Sequence, residues 1–186
     1  MRVLGVDPGL SRCGLGVVDG PRGRPTAVRA GVVRTPPGQP VAQRLAALHR
    51  EVAAVIADAQ PDVVAVERVF VNANVRTAMG VGQAAGVVLL AAAQAGVAVV
   101  EYTPTQMKAA VTGDGAADKA QVGYLVAAVL HLGEPPRPPD AADALALALC
   151  HLQQAGPAGG AMAPRLAAAL ADAAPGAQVV RRGTGR

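Results

Sequence analysis

Short apolar runs separated by turn residues make up the first 35 residues of the chain. The first run ends at Asp7, Pro8 and Gly9 turn the chain, and a second run follows in which glycine alternates with apolar residues. This pattern predicts a β-hairpin. Residues 27–35 (AVRAGVVRT) predict a third strand, which a Pro-Pro-Gly sequence ends.

Helical periodicity begins after residue 40 and then alternates with apolar runs. Residues 40–60 predict an amphipathic helix, with apolar side chains at Val41, Leu45, Leu48, Val52, Val55 and Ile56. Residues 62–70 are nearly all apolar, as expected for a central strand buried on both faces. Further predictions are a helix at 74–95, a strand at 97–102 and helices at 104–111, 119–132 and 140–154. This order predicts an α/β fold, with a mixed five-stranded sheet flanked by helices.

Residues 156–186 differ in composition from the rest of the chain. They are rich in alanine, glycine and proline and carry a net charge of +3, whereas residues 1–155 carry +1 of the total of +4. The sequence therefore predicts one folded domain over residues 1–155 and a basic tail, expected to be disordered, over residues 156–186. The positive charge favours an anionic partner.

Cysteine usage and hydropathy favour a cytoplasmic protein. Cys13 and Cys150 match neither a disulfide framework nor a zinc-ligand spacing, so we expect both to be buried in a reducing compartment. The N-terminus lacks the pattern of a secretory signal. The longest apolar stretch, residues 84–100, is broken by Gln94 and Gly96 and predicts a helix end followed by a strand, not a membrane span.

Four acidic residues occupy positions where an acid is locally unexpected. Asp7 ends the first predicted strand, and Glu67 interrupts the apolar run at 62–70. Burying an ionised carboxylate in a central strand is costly unless a partner compensates its charge. Asp140 and Asp143 begin the last predicted helix, and their i, i+3 spacing puts both on one helix face.

Each acid also has an ordinary structural interpretation. Asp7 suits a turn. Glu67 suits a strand end, paired with Arg68 or exposed at the sheet edge. Asp140 and Asp143 suit the first turn of a helix, which the macrodipole and capping favour. If the four met, however, carboxylates within about 4–6 Å would repel one another unless a cation neutralised them. Such oxygen ligands suit Mg²⁺ or Mn²⁺, and a two-metal site can hydrolyse a phosphodiester.

The segments around these acids resemble the RuvC family of Holliday junction resolvases, within the ribonuclease H-like nuclease superfamily. The resemblance runs from about Val3 to His151 and is carried by GVDPGLSRCGLGVV, AVERVFVNANVRTAMGVGQAAGV, EYTPTQMKAAVTGDGAADKAQV and PDAADALALALCH. It implies a ribonuclease H-like fold and a metal-dependent endonuclease that nicks two opposed strands of a four-way DNA junction in recombination and repair. It also implies a homodimer that works with the RuvA and RuvB branch-migration proteins.

The resemblance further implies roles for individual residues. The acids that bind two divalent ions, Mg²⁺ or in its place Mn²⁺, and that carry out hydrolysis would be Asp7, Glu67, Asp140 and Asp143. Phe70 matches an aromatic residue that reaches toward bases near the crossover, although a lone phenylalanine in a strand is typical of a core. Lys108 and Lys119, the only lysines of the chain, match basic DNA-contacting positions, and Arg76 is a further candidate for a phosphate contact. Ordinary solvated helix charges are the alternative for the two lysines.

Two features depart from the family pattern. Asp114 and Asp118 lie in the loop before Lys119, so the local field is less basic than a simple phosphate clamp would have. Residues 157–186 have no counterpart in the pattern.

Two other functions are compatible with parts of the sequence. A strand followed by Asp-x-Gly also opens the actin and sugar-kinase ATPase fold, but such ATPases need a second domain and another phosphate loop, which only Gly113-Asp114-Gly115 imitates. A DNA-binding module without catalysis would explain Lys108, Lys119 and the tail, but not a glutamate inside an apolar strand. Metal-dependent cleavage distinguishes this module from a nuclease.

Overall fold

A computed structural model describes residues 1–69 and 75–155. In chain order its elements are β1 (Arg2–Asp7), β2 (Arg12–Asp19), β3 (Thr26–Arg34), α1 (Val41–Ala59), β4 (Val63–Glu67), α2 (Val75–Gln94), β5 (Ala98–Tyr102), α3 (Pro104–Thr112), α4 (Lys119–Val129) and α5 (Pro139–Gln154). The predicted α/β class is confirmed.

The five strands form one mixed sheet in the order β3-β2-β1-β4-β5. β1 pairs antiparallel with β2, and β2 with β3, which confirms the hairpin and the third strand. β4 lies parallel to both β1 and β5. Since β1 and β4 are parallel neighbours, residues at their carboxyl ends lie at the same edge of the sheet.

Helices cover both faces of the sheet, and each face has its own hydrophobic core. On one face, α1 and α2 pack against Leu4, Val6 and Val64. On the other face, α3, α4 and α5 pack against Val3 and Ala65. The two cysteines are buried as expected, one in each core.

The last helix lies directly on the sheet because glycines line its path. A Cβ atom added to Gly5 or Gly16 would overlap the backbone of α5, and one added to Gly14 would overlap the backbone of Asp140. The helix is buried at every position from Ala141 to Cys150. Close contact with β1 and β2 therefore fixes where the first turn of α5 lies.

Two predicted elements are too long. The strand predicted at 62–70 ends at Glu67, so this acid closes the strand and does not interrupt it. The helix predicted at 119–132 ends at Val129, because His131 adopts a positive φ of 54° and the amide nitrogen of Leu132 donates back to the carbonyl of Ala127.

Arg44 is buried in α1, although helical periodicity places it away from the apolar stripe. Its Nε donates to Thr35 Oγ1 at 2.9 Å and its Nη2 donates to Ser11 Oγ at 2.6 Å. Thr35 Oγ1 in turn donates to the carbonyl of Leu10. These bonds tie α1 and the end of β3 to the loop that follows Asp7, so Arg44 holds the start of β2 in place.

The apolar stretch at 84–100 divides into the end of α2, a left-handed Gly96 and β5, as predicted. Within the described residues, one segment, Thr77–Gln94 in α2, is long and apolar enough to cross a membrane by length and composition alone. Core helices of globular proteins meet the same criterion, and α2 packs on the sheet. Phe70 and the predicted tail lie outside the described residues.

Candidate active site

Two of the predicted acids end neighbouring strands at one edge of the sheet. Asp7 is the last residue of β1, and Glu67 is the last residue of β4. Val6 lies beside Val66 in the parallel register, so the next residue of each strand leaves the sheet at the same level. Both acidic side chains are half-buried.

The other two acids reach this edge from the first turns of α5. Gly14, the cross-strand neighbour of Asp7, touches the backbone of Asp140 and so places the helix start beside β1. Asp143 is buried on the same helix. The N-cap residue is Pro138, which makes no side-chain capping bond, so neither acid caps the helix.

These four acids, Asp7, Glu67, Asp140 and Asp143, are hereafter the four carboxylates. Burial raises the pKa of Asp7 to about 7, and the charges of Glu67, Asp143 and Asp140 push it in the same direction. Burial also raises the pKa of Glu67, with the charge of Asp143 as the second cause. The structure therefore brings the four carboxylates within electrostatic reach of one another, which leaves an excess of negative charge.

Two basic side chains contact the carboxylates of α5. Lys119 Nζ donates to Asp143 Oδ2 at 2.8 Å, and Arg12 Nη2 forms an ion pair with Asp140 Oδ2. The bond to Asp143 is the main cause that raises the pKa of Lys119. Sequence reasoning missed Arg12, although it opens β2 only five positions after Asp7. It also missed that Lys119 faces the acids.

The donor chemistry of this edge fits a divalent metal. All four side chains offer oxygen ligands, which Mg²⁺ and Mn²⁺ prefer, and the raised pKa values of Asp7 and Glu67 indicate that a cation would be stabilised there. Within residues 1–69 and 75–155, no three His, Cys, Asp or Glu side chains stand close enough to hold a metal as they are. Two of the four instead face Arg12 and Lys119.

A family model described as "Crossover junction endodeoxyribonuclease RuvC" matches residues 3–151 of the chain. This chain belongs to the RuvC family. A curated RuvC protein from Salinispora arenicola is 56% identical over 187 residues, which cover 100% of both proteins.

Solved structures agree with the RuvC assignment. Thermus thermophilus RuvC, solved in complex with a Holliday junction substrate, is 41% identical, with a TM-score of 0.81 over 86% of this chain and 97% of that one. The yeast mitochondrial Holliday junction resolvase Ydc2 is 12% identical, with a TM-score of 0.56 over 91% of this chain and 85% of that one, and shows likeness of fold alone. The predicted family and ribonuclease H-like fold are confirmed.

The RuvC assignment removes the ATPase alternative, and the Gly113-Asp114-Gly115 loop, which imitated a phosphate loop of such ATPases, has a local role. Gly113 is the left-handed C-cap of α3. The carboxylate of Asp114 accepts a hydrogen bond from the backbone of Ala116, and Asp118 caps α4 in a reciprocal pair with Gln121. Both aspartates that depart from the family pattern therefore accept local hydrogen bonds from backbone N–H groups.

The structure describes the residues predicted to contact DNA less completely than it describes the acids. Lys108 lies half-buried on α3, where its charge lowers the pKa of Glu67, and its ammonium makes no hydrogen bond or ion pair with the described residues. Lys119 opens α4 and reaches Asp143. Phe70 and the side chain of Arg76 lie outside the described part of the chain. The role of these residues in DNA binding stays a prediction.

The raised pKa of Asp7 predicts how stability depends on pH in this member of the RuvC family when no metal is bound. In the folded chain Asp7 keeps its proton up to about pH 7, but in the unfolded chain only up to about pH 3.8. Between these pH values the folded state therefore binds more protons than the unfolded state. The contribution of Asp7 to the free energy of unfolding consequently decreases as the pH rises. We expect the thermal midpoint in EDTA to decrease as the pH is raised from about 5 to about 7.

The Asp7→Asn protein isolates this contribution, because all other groups titrate in both proteins. Its midpoint in EDTA should fall less over the same pH range than that of the wild type. Equal pH dependence in the two proteins would mean that Asp7 titrates normally in the folded chain.

Proposed function

We propose that this chain is a metal-dependent endonuclease that resolves Holliday junctions by symmetric paired nicks, in DNA recombination and repair. The main support is the meeting of Asp7 and Glu67, at aligned strand ends, with Asp140 and Asp143 on α5. Membership of a family of crossover junction endodeoxyribonucleases supports the same reaction.

In this proposal the four carboxylates hold two Mg²⁺ ions, for which Mn²⁺ can substitute. Asp7 interacts electrostatically with Glu67, Asp143 and Asp140, so it would be the central member of the ligand set. Glu67, Asp140 and Asp143 complete the ligand set. When bound, the ions supply the charge that activates water for in-line attack on a backbone phosphate and that stabilises the leaving oxygen.

The protein's own residues position the carboxylates and hold the DNA. The sheet edge and α5 fix the directions of the carboxylates, and no side chain acts as a covalent nucleophile. Cleavage with departure of the 3′ oxygen leaves a 5′-phosphate and a 3′-hydroxyl, which a ligase can rejoin. Lys108 and Lys119 lie beside the acids and are proposed to contact DNA phosphates. Arg76 is proposed for the same role, and Phe70 for stacking on a base near the crossover.

Two opposed nicks require two active sites, so we propose that the protein is a homodimer. The outer face of α2 is suited to meet a second copy. Met79, Leu89 and Leu90 are exposed there, and no charged residue occurs between Thr77 and Gln94. Exposed apolar side chains on an uncharged helix are typical of an interaction surface.

Leu90→Glu should weaken the dimer by about tenfold or more, because it would bury a charge between two apolar faces. Light scattering coupled to size-exclusion chromatography across a dilution series measures this change. Tyr124→Glu is the matched control, since Tyr124 is exposed on α4 away from this face. If the Leu90→Glu protein dissociates over the same concentration range as the wild type, the α2 face is not the dimer contact.

The remaining partners follow from the proposed reaction. The substrate is four-way junction DNA, and RuvA and RuvB are the proposed branch-migration partners. Both would be met in the cytoplasm, where the chromosome of a bacterium lies. A physical interaction with RuvA and RuvB is testable by co-purification on a junction.

The decisive experiment incubates the purified protein with a labelled synthetic four-way junction in Mg²⁺ or in EDTA. Products are separated on a denaturing gel. Paired symmetric nicks only in Mg²⁺, whose product ends a ligase can seal, are the expected result. Binding without any nick, across several metals and junction sequences, would instead identify a DNA-binding module without catalysis and reduce the four carboxylates to a structural role.

A further inference from the structure

Each carboxylate of α5 is held by a basic residue from a different element. Lys119 from α4 donates to Asp143, whose side chain is only 10% exposed, and Arg12 from β2 pairs with Asp140. In contrast, Asp7 and Glu67 form no ion pair with the described residues. The chain therefore carries its own cations at the place where the proposed divalent ions would be held.

Lys119 is central to this arrangement. Its ammonium bonds to Asp143 and also interacts electrostatically with Asp7 and Glu67. It thus faces three of the four carboxylates from one position. An ammonium that donates to a carboxylate oxygen competes with a metal ion for that oxygen, and its charge repels the metal.

Both basic side chains are exposed enough to move away from the carboxylates. The Lys119 side chain is 75% exposed and that of Arg12 is 45% exposed. The first turn of α4 is capped by Asp118 and Gln121, so its start does not depend on the Lys119 side chain. Release of Lys119 from Asp143 therefore breaks one ion pair and leaves α4 in place.

We propose that Lys119 and Arg12 are internal counter-ions of the active site. Before metal binds they neutralise the α5 carboxylates, and when divalent ions bind there the two basic side chains leave the carboxylates and bind DNA phosphates. This inference rests on the proposed function. It makes metal binding and junction binding interdependent, because the same event fills the site and frees two positive charges toward the substrate. It also explains how an edge with four carboxylates stays folded before metal arrives.

The first test measures Mn²⁺ binding to the full-length protein without DNA, from the electron paramagnetic resonance signal of free Mn²⁺. Lys119→Met keeps the length of the side chain and removes the competing charge. It should bind Mn²⁺ about three- to fivefold more tightly than the wild type. Arg12→Gln should bind more tightly in the same direction.

The matched control is Lys108→Met. Lys108 also acts on Glu67 through its charge, but it makes no bond to a carboxylate of the described residues. Its removal should change Mn²⁺ affinity by less than about twofold, because only the general field changes. If Lys119→Met and Lys108→Met tighten binding equally, direct occupation by Lys119 is wrong.

A second readout is the salt dependence of junction binding, in EDTA and in Ca²⁺, on junctions checked to remain uncut. Each phosphate contact by a lysine adds about one to the slope of log K against log salt concentration. In EDTA, Lys119→Met and the wild type should have equal slopes, because Lys119 is held by Asp143. In Ca²⁺, the slope for Lys119→Met should be smaller by about one, whereas Lys108→Met should be smaller in both buffers.

The outcomes separate this inference from the proposed function. Wild-type binding of Mn²⁺ that is lost in Asp7→Asn, with unchanged or weaker binding in Lys119→Met, would overturn the exchange and leave the metal site standing. Absence of Mn²⁺ binding in the wild type, or full binding in Asp7→Asn, would overturn the metal site itself. A melting temperature of Lys119→Met that is lowered in EDTA and restored in Mn²⁺ would support the exchange.

Discussion

The Asp7→Asn protein should bind a four-way junction but cleave it at least about 10³-fold more slowly than the wild type. Asparagine has nearly the shape of aspartate, so β1 and the loop after it are retained. What is lost is a carboxylate that interacts electrostatically with each of the other three, Glu67, Asp143 and Asp140. A bound metal would lose one of its carboxylate ligands.

The measurement is a single-turnover cleavage rate in Mg²⁺ together with a binding constant in Ca²⁺. Asp58→Asn is the control, because Asp58 is an exposed acid of α1 whose partner is the exposed Arg29. It should cleave at the rate of the wild type. Cleavage by Asp7→Asn at the normal rate would show that the metal-site assignment is wrong.

Gly14→Ala should both destabilise the protein and slow cleavage. A Cβ atom at residue 14 would lie 2.7 Å from the carbonyl carbon of Asp140, and backbone atoms cannot move aside as a flexible side chain can. Overpacking of this kind costs about 1–3 kcal/mol of the free energy of unfolding. Displacing the start of α5 by about 1 Å would move two of the four carboxylates, which is expected to reduce the cleavage rate by about 10²-fold.

Urea unfolding and single-turnover cleavage measure the two effects separately. Gly31→Ala is the matched control, since Gly31 lies in β3 with nothing within 4 Å of an added Cβ atom. It should be close to neutral in both assays. If Gly14→Ala is also neutral, α5 does not rest on the hairpin as described. Loss of cleavage with little loss of stability would place the effect in the alignment of the carboxylates.

Local patterns predicted the strands and helices well because the two periodicities are distinct along this chain. Alternating glycines marked the second strand of the hairpin, and prolines marked the start of α5. Ends were less predictable. The apolar residues after Glu67 continued the strand pattern, but β5 is a short partner that ends at Tyr102, opposite Glu67, so the pairing stops there.

The four carboxylates were predictable as candidates because three of them stand at element ends, where sequence position limits spatial position. Their electrostatic partners were not. Arg12 and Asp140 meet only because α5 crosses back over the first hairpin, and the bond between Lys119 and Asp143 depends on how α4 packs beside α5. Arg44 was missed for a similar reason, since its acceptors come from two separate turns.

The family resemblance predicted more than periodicity did. It named the acids, the fold and the reaction, of which the fold and family are confirmed by the match over residues 3–151 and by the Thermus thermophilus structures. Physical reading of the residues alone left each acid with an ordinary alternative. The structure removes side-chain capping for α5, but it keeps Asp140 in the first turn, where the macrodipole favours an acid. Glu67 lies at a strand end, without a bond to Arg68 among the described residues.

The seating of α5 on glycines has a consequence for the dynamics of the site. This helix carries two of the four carboxylates, and it is also the most completely buried helix in the described part of the chain. Its opening therefore requires disruption of the core that it shares with the sheet, and not the fraying of a loop. The backbone of α5 that carries Asp140 and Asp143 is as rigid as the domain itself, so adaptation to a flexible branched substrate must come from the DNA and from the surrounding loops.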